Sequence, residues 1–488
     1  MADARFLPPH LDAKLCEQAR LTRDPRFDGL FFVAVTSTRI FCRPVCPAPS
    51  PKPRHVVYYP SAAAAAAAGF RPCLRCRPEL APGASAWRGG DALVASALRL
   101  IEDGLLDEAP VAALAARVGV GERHLRRLFA EQLGAGPLAV AATRRLLAAK
   151  KLLHETRLPV GAVAHAAGYA SLRRFNAAFR DAYGIAPREL RRGRALPADA
   201  GELRLRLPYR PPYDFAGLQA FFARRAIPGV EAVDETAYRR VFMHGGVPGW
   251  FEVSALADAP ALLLRVRHPQ PAALLAVATR VRRMFDLDAD AGAIAAHLGR
   301  SATLRPLLRR HAGVRVPGCW DGFEVAVRAV LGQQVSVAAA RTLASRLVER
   351  YGTRLDADAA QGLHALFPSP AVLADADPTA IGVTRARAET IRRLARAVAS
   401  GEVDFRAEQG LPAFVEAWSA LPGIGAWTAH YVALRALGHP DAFPAADLVL
   451  RKVAGGGAPL ATRALQALAE DWRPWRAYAT MLLWRGAG

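Results

Sequence analysis

Four of the six cysteines fall into two close pairs, Cys42-x3-Cys46 and Cys73-x2-Cys76. No other feature constrains what this chain can fold into so tightly. Each pair can span one edge of a tetrahedron, the arrangement of a four-thiolate Zn2+ site, and a structural zinc is the plainest reading of the spacing. Four thiolates on one Zn2+ also leave a formal double negative charge, which keeps the sulfurs electron-rich. Arg39, Arg43, Arg71, Arg75 and Arg77 lie beside the ligands in sequence and are placed to hold a DNA backbone against that centre. Clustered cysteines read as metal ligands in a reducing compartment. The first thirty residues, with Arg5, Asp12, Lys14 and Asp24, carry no secretory pattern, so a cytoplasmic setting is expected. Cys16 and Cys319 stand apart as ordinary core or surface thiols.

The chain has 488 residues and a net charge of +22, too long for one core and basic enough to attract a polyanion. No apolar run reaches membrane-spanning length, so no membrane partner is expected. Half of the charge lies between Arg117 and Arg194, where sixteen Arg/Lys face five Asp/Glu. There a pattern recurs: an apolar helix (Val111–Val118), a glycine turn, and a basic helix (Glu122–Leu133) with Arg123, Arg126 and Arg127. The second copy is Val160–Ala167, a turn at Gly168, then Ser171–Tyr183 with Arg173 and Arg174. Ser171 suits an N-cap and Gly184 a stop. One such unit could be a plain helical hairpin; two in a basic segment predict paired helix-turn-helix units. The run Ala62–Ala68 before Gly69 predicts a helix with a glycine stop. A linker is expected from Pro82-Gly83 to Gly89-Gly90. Alternation at Leu203–Leu207 predicts a strand, with others at Tyr238–Met243, Trp250–Val253 and Leu262–Val266, and helices dominate after about Phe285.

Near the C-terminus, Leu421-Pro422-Gly423-Ile424-Gly425-Ala426-Trp427 is a helix-hairpin-helix signal whose glycines allow a tight turn and close approach of phosphate to backbone N–H. Asp447 follows 22 residues after Gly425. Taken alone it reads as an N-cap for the helix Leu448–Val453.

Three resemblances add to these readings. Arg39-Ile40-Phe41-Cys42-Arg43-Pro44-Val45-Cys46 and Gly69-Phe70-Arg71-Pro72-Cys73-Leu74-Arg75-Cys76 resemble the metal-binding domain of the Ada adaptive-response family. That implies one Zn2+ on Cys42, Cys46, Cys73 and Cys76. It also implies Cys42 as the stoichiometric acceptor of a methyl group from a DNA methylphosphotriester, an event that would switch DNA affinity. The basic segment resembles AraC-type domains, implying promoter DNA as a partner read through Arg126, Arg127, Arg173 and Arg174, with RNA polymerase as the further partner of an activator. Leu421–Lys452, together with Pro211-Pro212-Tyr213-Asp214, Met284-Phe285-Asp286-Leu287, Pro317-Gly318-Cys319 and Val330-Leu331-Gly332-Gln333-Gln334-Val335-Ser336-Val337, resembles the AlkA-type 3-methyladenine glycosylases.

The last resemblance implies a monofunctional, hydrolytic DNA glycosylase. Asp447 becomes its catalytic carboxylate, Trp427, Tyr431 and Trp484 its base pocket, and Gly423 and Gly425 its hairpin, with Gln334 at the wedge position and Arg43 among the DNA contacts. Trp427 stands where bifunctional relatives carry a Schiff-base lysine, so strand cleavage is not expected. No four-cysteine cluster follows the hairpin, which excludes an iron–sulfur relative. A monovalent cation at the hairpin is a further expectation. An Ada-type second acceptor needs Pro-Cys-His-Arg, whereas Cys319 precedes Trp320, so that transferase half is absent.

The expected fold is multidomain and mainly α: a small zinc α/β domain (1–84), an AraC-type double helix-turn-helix (88–194), a small antiparallel β domain (200–285) and an all-α helix-hairpin-helix glycosylase domain (286–488). The alternative function is a damage-sensing transcription factor whose C-terminal half binds DNA without catalysis.

Overall fold

The computed structural model describes residues 7, 11–83, 92–191, 201–355 and 362–487. Most of the expected linker, and Arg192–Arg194, lie outside them. The chain forms two compact units. The first comprises Met1–Pro211, Leu256–Thr279 and Leu287–Asp290; the second comprises Pro212–Ala255, Arg280–Asp286 and Ala291–Gly488.

In the first unit, strands β1 (Phe32–Val35), β2 (Ile40–Cys42), β3 (Val56–Tyr59) and β4 (Arg71–Pro72) make one sheet in the order β3-β1-β2-β4. Only the β2–β4 pairing is parallel, and its register, Ile40 on Arg71 and Phe41 on Pro72, brings the two cysteine pairs together. Phe32, Ala34, Phe41, Ala62, Ala65 and Phe70 close a small core on one side of this sheet. The alanine run is the helix Ala62–Ala67, capped by Ser61 and ended at Gly69, whose φ is +81°.

Both helix-turn-helix units are present: Val111–Arg117 with Glu122–Leu133, and Val160–Ala166 with Leu172–Tyr183. The last of these helices has the expected ends, since Ser171 Oγ accepts from the Arg174 N–H at 3.2 Å and Gly184 follows at φ +70°. The 19-residue helix Pro137–Glu155 joins the two helix-turn-helix units. Its buried Lys150 reaches back to Glu79 at 2.8 Å and to the Cys73 carbonyl at 3.1 Å, tying the metal-binding region to the helical region. The strand Glu202–Pro208 pairs antiparallel with Ala261–Arg267 in the same unit, and the Arg206 N–H donates to Glu155 at 2.9 Å.

The second unit holds an antiparallel meander, Glu231–Val233, Ala237–His244 and Val247–Ala255, followed by helices that include Gly322–Leu331, Val337–Tyr351, Arg385–Ser400, Leu411–Ser419, Ala426–Arg435, Leu448–Ala454 and Arg476–Arg485. Leu347, Ile391, Leu394, Phe414, Val432, Leu450 and Leu482 are fully buried, so one apolar core positions the hairpin and the carboxylate. Among the described residues no helix is long and apolar enough to cross a membrane.

Candidate base-excision and metal sites

The helix Leu411–Ser419 turns through Leu421–Gly425 into Ala426–Arg435. The two hairpin glycines answer different demands. Gly423 has φ +90°, and a Cβ there would lie 2.0 Å from Thr390 Oγ1. Gly425 has φ −93°, with nothing within 4 Å of a built Cβ, so its lack of a side chain leaves an open approach to the helix N-terminus. Gly423→Ala should therefore destabilise the protein by about 1–3 kcal/mol, from left-handed strain plus the clash. Gly425→Ala should stay within about 0.5 kcal/mol, as a surface substitution does. Urea unfolding of both variants checks this contrast; equal losses would remove the distinction.

Ala426–Arg435 presents Trp427 and Tyr431 one turn apart, with rings nearly parallel at 11° and 5.3 Å between centroids. Trp484, from the C-terminal helix, lies 6.2 Å from Tyr431. Asp447 caps the helix Leu448–Ala454, its Oδ1 accepting from Val449 N at 2.9 Å and Leu450 N at 3.1 Å. The two indoles also donate to this carboxylate, Trp484 Nε1 to Oδ1 at 3.3 Å and Trp427 Nε1 to Oδ2 at 3.1 Å. Three donors converge on Oδ1 and one on Oδ2, so Oδ2 retains more of its accepting capacity. The capping and pocket readings of Asp447 thus describe one geometry. All four side chains line a cavity of about 470 Å3.

Beneath the pocket, Arg435 donates to the Tyr431 hydroxyl at 2.9 Å and to the Pro317 and Gly318 carbonyls. Burial pushes the Tyr431 phenol up, but the Arg435, Arg225 and Arg328 guanidiniums outweigh it and hold the group below its ordinary value.

Gln334 sits exposed in the turn between Gly322–Leu331 and Val337–Tyr351, with φ +57°. Its neighbour Gln333, which sequence reasoning passed over, donates to the Gly423 carbonyl at 3.0 Å and to Thr428 Oγ1 at 3.1 Å. Arg387 in turn donates to the Gln333 carbonyl at 2.6 Å. These bonds fix the Gln334 turn against the hairpin. The Gln333-Gln334 doublet was the available signal, but nothing in it said which glutamine turns inward.

In the first unit the four sulfurs of Cys42, Cys46, Cys73 and Cys76 all lie within 4.8 Å of one another. A tetrahedron with Zn–S of about 2.3 Å has edges of about 3.8 Å, so the set fits one Zn2+ with small adjustment. The thiols share protons unequally: hydrogen bonds to Cys46, Cys73 and Cys76 push Cys42 up, while bonds with Cys42, Cys46 and Cys76 pull Cys73 down. A divalent cation removes that competition. Cys73 and Cys76 are buried, whereas Cys42 and Cys46 are half-exposed. Cys16 is fully buried away from this cluster, and burial followed by the Asp12 charge pushes its thiol up to about 12.

The arginines around the metal site divide. Arg43, expected to contact DNA, is instead engaged inward: its side chain pairs with Asp28 and donates to the Cys76 carbonyl at 3.1 Å, and its backbone N–H donates to Cys76 Sγ at 3.3 Å. Proximity in sequence could not reveal that Asp28 claims it. Arg77 is similarly held, by Glu79 at 3.0 Å and Glu155 at 3.2 Å. Arg71 and Arg75 stay exposed. Arg39 is exposed but bends back over Phe70, 4.7 Å from the ring centre. On the helix-turn-helix units, Arg126, Arg127, Arg173 and Arg174 all face outward, opposite buried Leu125, Phe129, Phe175 and Phe179.

Four family models match the chain in order: the metal binding domain of Ada over residues 15–79, a helix-turn-helix domain over 114–193, the AlkA N-terminal domain over 204–321, and the HhH-GPD superfamily base excision DNA repair protein over 327–472. Fold and matches together define a DNA-binding protein that joins a zinc module and helix-turn-helix units to a base-excision repair domain. A "Probable bifunctional transcriptional activator/DNA repair enzyme AlkA" of Mycobacterium tuberculosis is 42% identical over 481 residues, covering 97% of this chain and 96% of its own. The chain belongs to this AlkA family of bifunctional transcriptional activator/DNA repair enzymes. DNA-3-methyladenine glycosylase 2 of Escherichia coli is 36% identical over 290 residues, 58% of this chain and 97% of its own. The 3-methyladenine DNA-glycosylase of Archaeoglobus fulgidus shares the fold at a TM-score of 0.50 and 21% identity, over 58% of this chain and 97% of its own.

Proposed function

We propose that this chain hydrolytically excises alkylated bases of the 3-methyladenine type from double-stranded DNA and accepts methyl groups from phosphotriesters on Cys42. The observation that carries the first half is a carboxylate, Asp447, held by two indole N–H groups at the edge of an aromatic cavity. Alkylation of a purine ring nitrogen leaves the base cationic and its glycosidic bond weak. Faces of Trp427, Tyr431 and Trp484 favour such a cation by stacking and cation–π attraction. As the bond breaks, the electron pair leaves with the base and positive charge appears on the sugar. Asp447 stabilises that charge, and water adds to the sugar carbon and gives up a proton. Gly423 and Gly425 let a phosphate approach the hairpin, and Gln334 enters the gap left by the flipped base.

For the second half, Cys42 Sγ attacks the methyl carbon of a phosphotriester. The S–CH3 bond forms, the O–CH3 bond breaks, and the electron pair stays on the phosphate, which leaves as a diester. Zinc held by Cys42, Cys46, Cys73 and Cys76 keeps these thiols deprotonated and nucleophilic. Methylation takes one negative charge from the site, weakening its repulsion of phosphate, so Arg126, Arg127, Arg173 and Arg174 then engage promoter DNA more tightly. RNA polymerase is the partner of the activated form, in the cytoplasm.

The regulatory part is checked by measuring promoter affinity of the full chain before and after methyl uptake, over a salt series. Methylation should tighten binding, with a steep loss of affinity as salt rises. Equal affinities at matched salt would remove the switch.

A further inference from the structure

The excision cavity has a second polar wall, remote in character from the Asp447 edge. Arg225 lines the cavity from the end of the helix Phe215–Ala223. Its guanidinium lies 3.8 Å from the centre of the Phe221 ring, and its Nη1 donates to the Phe221 carbonyl at 3.2 Å. Among the described residues no carboxylate pairs with it. Arg328, on the same cavity, is different: Glu231 at 2.8 Å and Glu324 at 2.9 Å neutralise it. Burial without a counter-ion pulls the Arg225 guanidinium down to about 10. A half-buried cation with unused N–H donors and no counter-ion favours an incoming acceptor.

Tyr431 supplies a second donor in the same cavity. Its hydroxyl oxygen accepts from Arg435, whose other N–H groups are committed to the Pro317 and Gly318 carbonyls. The phenolic proton is therefore free to be given elsewhere. The Arg435 guanidinium also lies 4.7 Å from the centre of the Phe221 ring and 5.7 Å from that of Tyr431, so it links two of the three residues, Phe221, Arg225 and Tyr431, that line this side of the cavity.

We propose that Arg225 and Tyr431 read an exocyclic oxygen on the flipped base, and so set the preference for alkylated oxopurines over alkylated aminopurines. This rests on the reading of the cavity as a base-excision site. Arginine pairs with the O6 of guanine wherever its donors reach it, and 7-methylguanine offers that oxygen. At the corresponding position 3-methyladenine carries an amino group, which brings a donor against donors. A site built to satisfy a hydrogen bond discriminates more sharply than one built on apolar fit.

The test uses DNA treated with a methylating agent, which carries both 7-methylguanine and 3-methyladenine, so the two bases compete in one reaction. Released bases are separated and quantified for the wild-type full chain, Arg225→Met and Tyr431→Phe. In each variant the rate of 7-methylguanine release should fall about tenfold or more relative to that of 3-methyladenine, the effect of losing a charged or buried hydrogen bond. Because the readout is a ratio within one sample, partial misfolding lowers both rates and leaves it unchanged. An unchanged ratio, with both bases released by the wild type, overturns this inference alone. Failure of the wild type to release either base overturns the excision reading, and this inference with it.

Discussion

Asp447→Asn should lower excision of alkylated bases by a factor on the order of a hundred or more, the usual consequence of removing a preorganised electrostatic group. Affinity for damaged DNA should change little, because it rests on the hairpin and the aromatic cavity. The geometry also states what the variant does to the fold. Asn keeps an oxygen to accept from Val449 N and Leu450 N, so the cap survives. Its amide nitrogen then replaces Oδ2 and faces Trp427 Nε1, a donor against a donor. That mismatch should cost about 1 kcal/mol, small beside the kinetic loss. Excision rate, DNA affinity and circular dichroism of the two proteins separate the effects. Full activity in a folded Asp447→Asn chain would remove the catalytic role, whereas a collapse of the fold would make the residue a cap alone. Wild-type product DNA should carry abasic sites on uncut strands until alkali is added, since Trp427 offers no amine.

The other large effect concerns Cys42. Methyl uptake should be one per chain in the wild type and absent in Cys42→Ala. Of the four ligands only Cys42 and Cys46 are half-exposed, so the acceptor must come from the first pair if the module stays folded. Removing a ligand also loosens the metal, and zinc content must be measured beside methyl uptake. Cys42→Ser keeps an oxygen donor near the site and gives a second, gentler version. Peptide mass analysis of the methylated wild type decides between the two exposed cysteines directly. A methyl group on Cys46 would reassign the acceptor; no methyl group on either, in a zinc-loaded protein, would leave a structural zinc.

The sequence announced its elements where local chemistry decides them. Ser171 and Gly184 bracket the helix Leu172–Tyr183, and alternation between Leu203 and Leu207 became the strand Glu202–Pro208. The four cysteines converge because a two-residue parallel pairing between Ile40–Cys42 and Arg71–Pro72 joins distant segments, and only the ligand spacing hinted at it. The aromatic cavity was legible through family likeness, since Trp427 and Tyr431 on an anonymous helix look like core. Partners chosen by tertiary packing were not legible. Asp28 pairs with Arg43 and turns it inward, Gln333 rather than Gln334 fastens the wedge turn, and the indole N–H groups of Trp427 and Trp484 converge on Asp447 from different helices. Each depends on residues between 15 and 95 positions away in the chain, beyond the reach of any local pattern.

Repair of alkylated DNA at two chemically different sites on one polypeptide would divide a methyl label between two products. Incubating the zinc-loaded full chain with duplex DNA bearing labelled methyl groups, and scoring the label in released bases and on protein, follows that division. Label is expected in both fractions: free methylated purines accumulating with turnover, and protein-bound methyl levelling off at about one per chain on Cys42, as a thiol consumed once requires. Label that remains wholly in the DNA while the chain stays bound to it would rule out both reactions and leave a protein that only recognises damage.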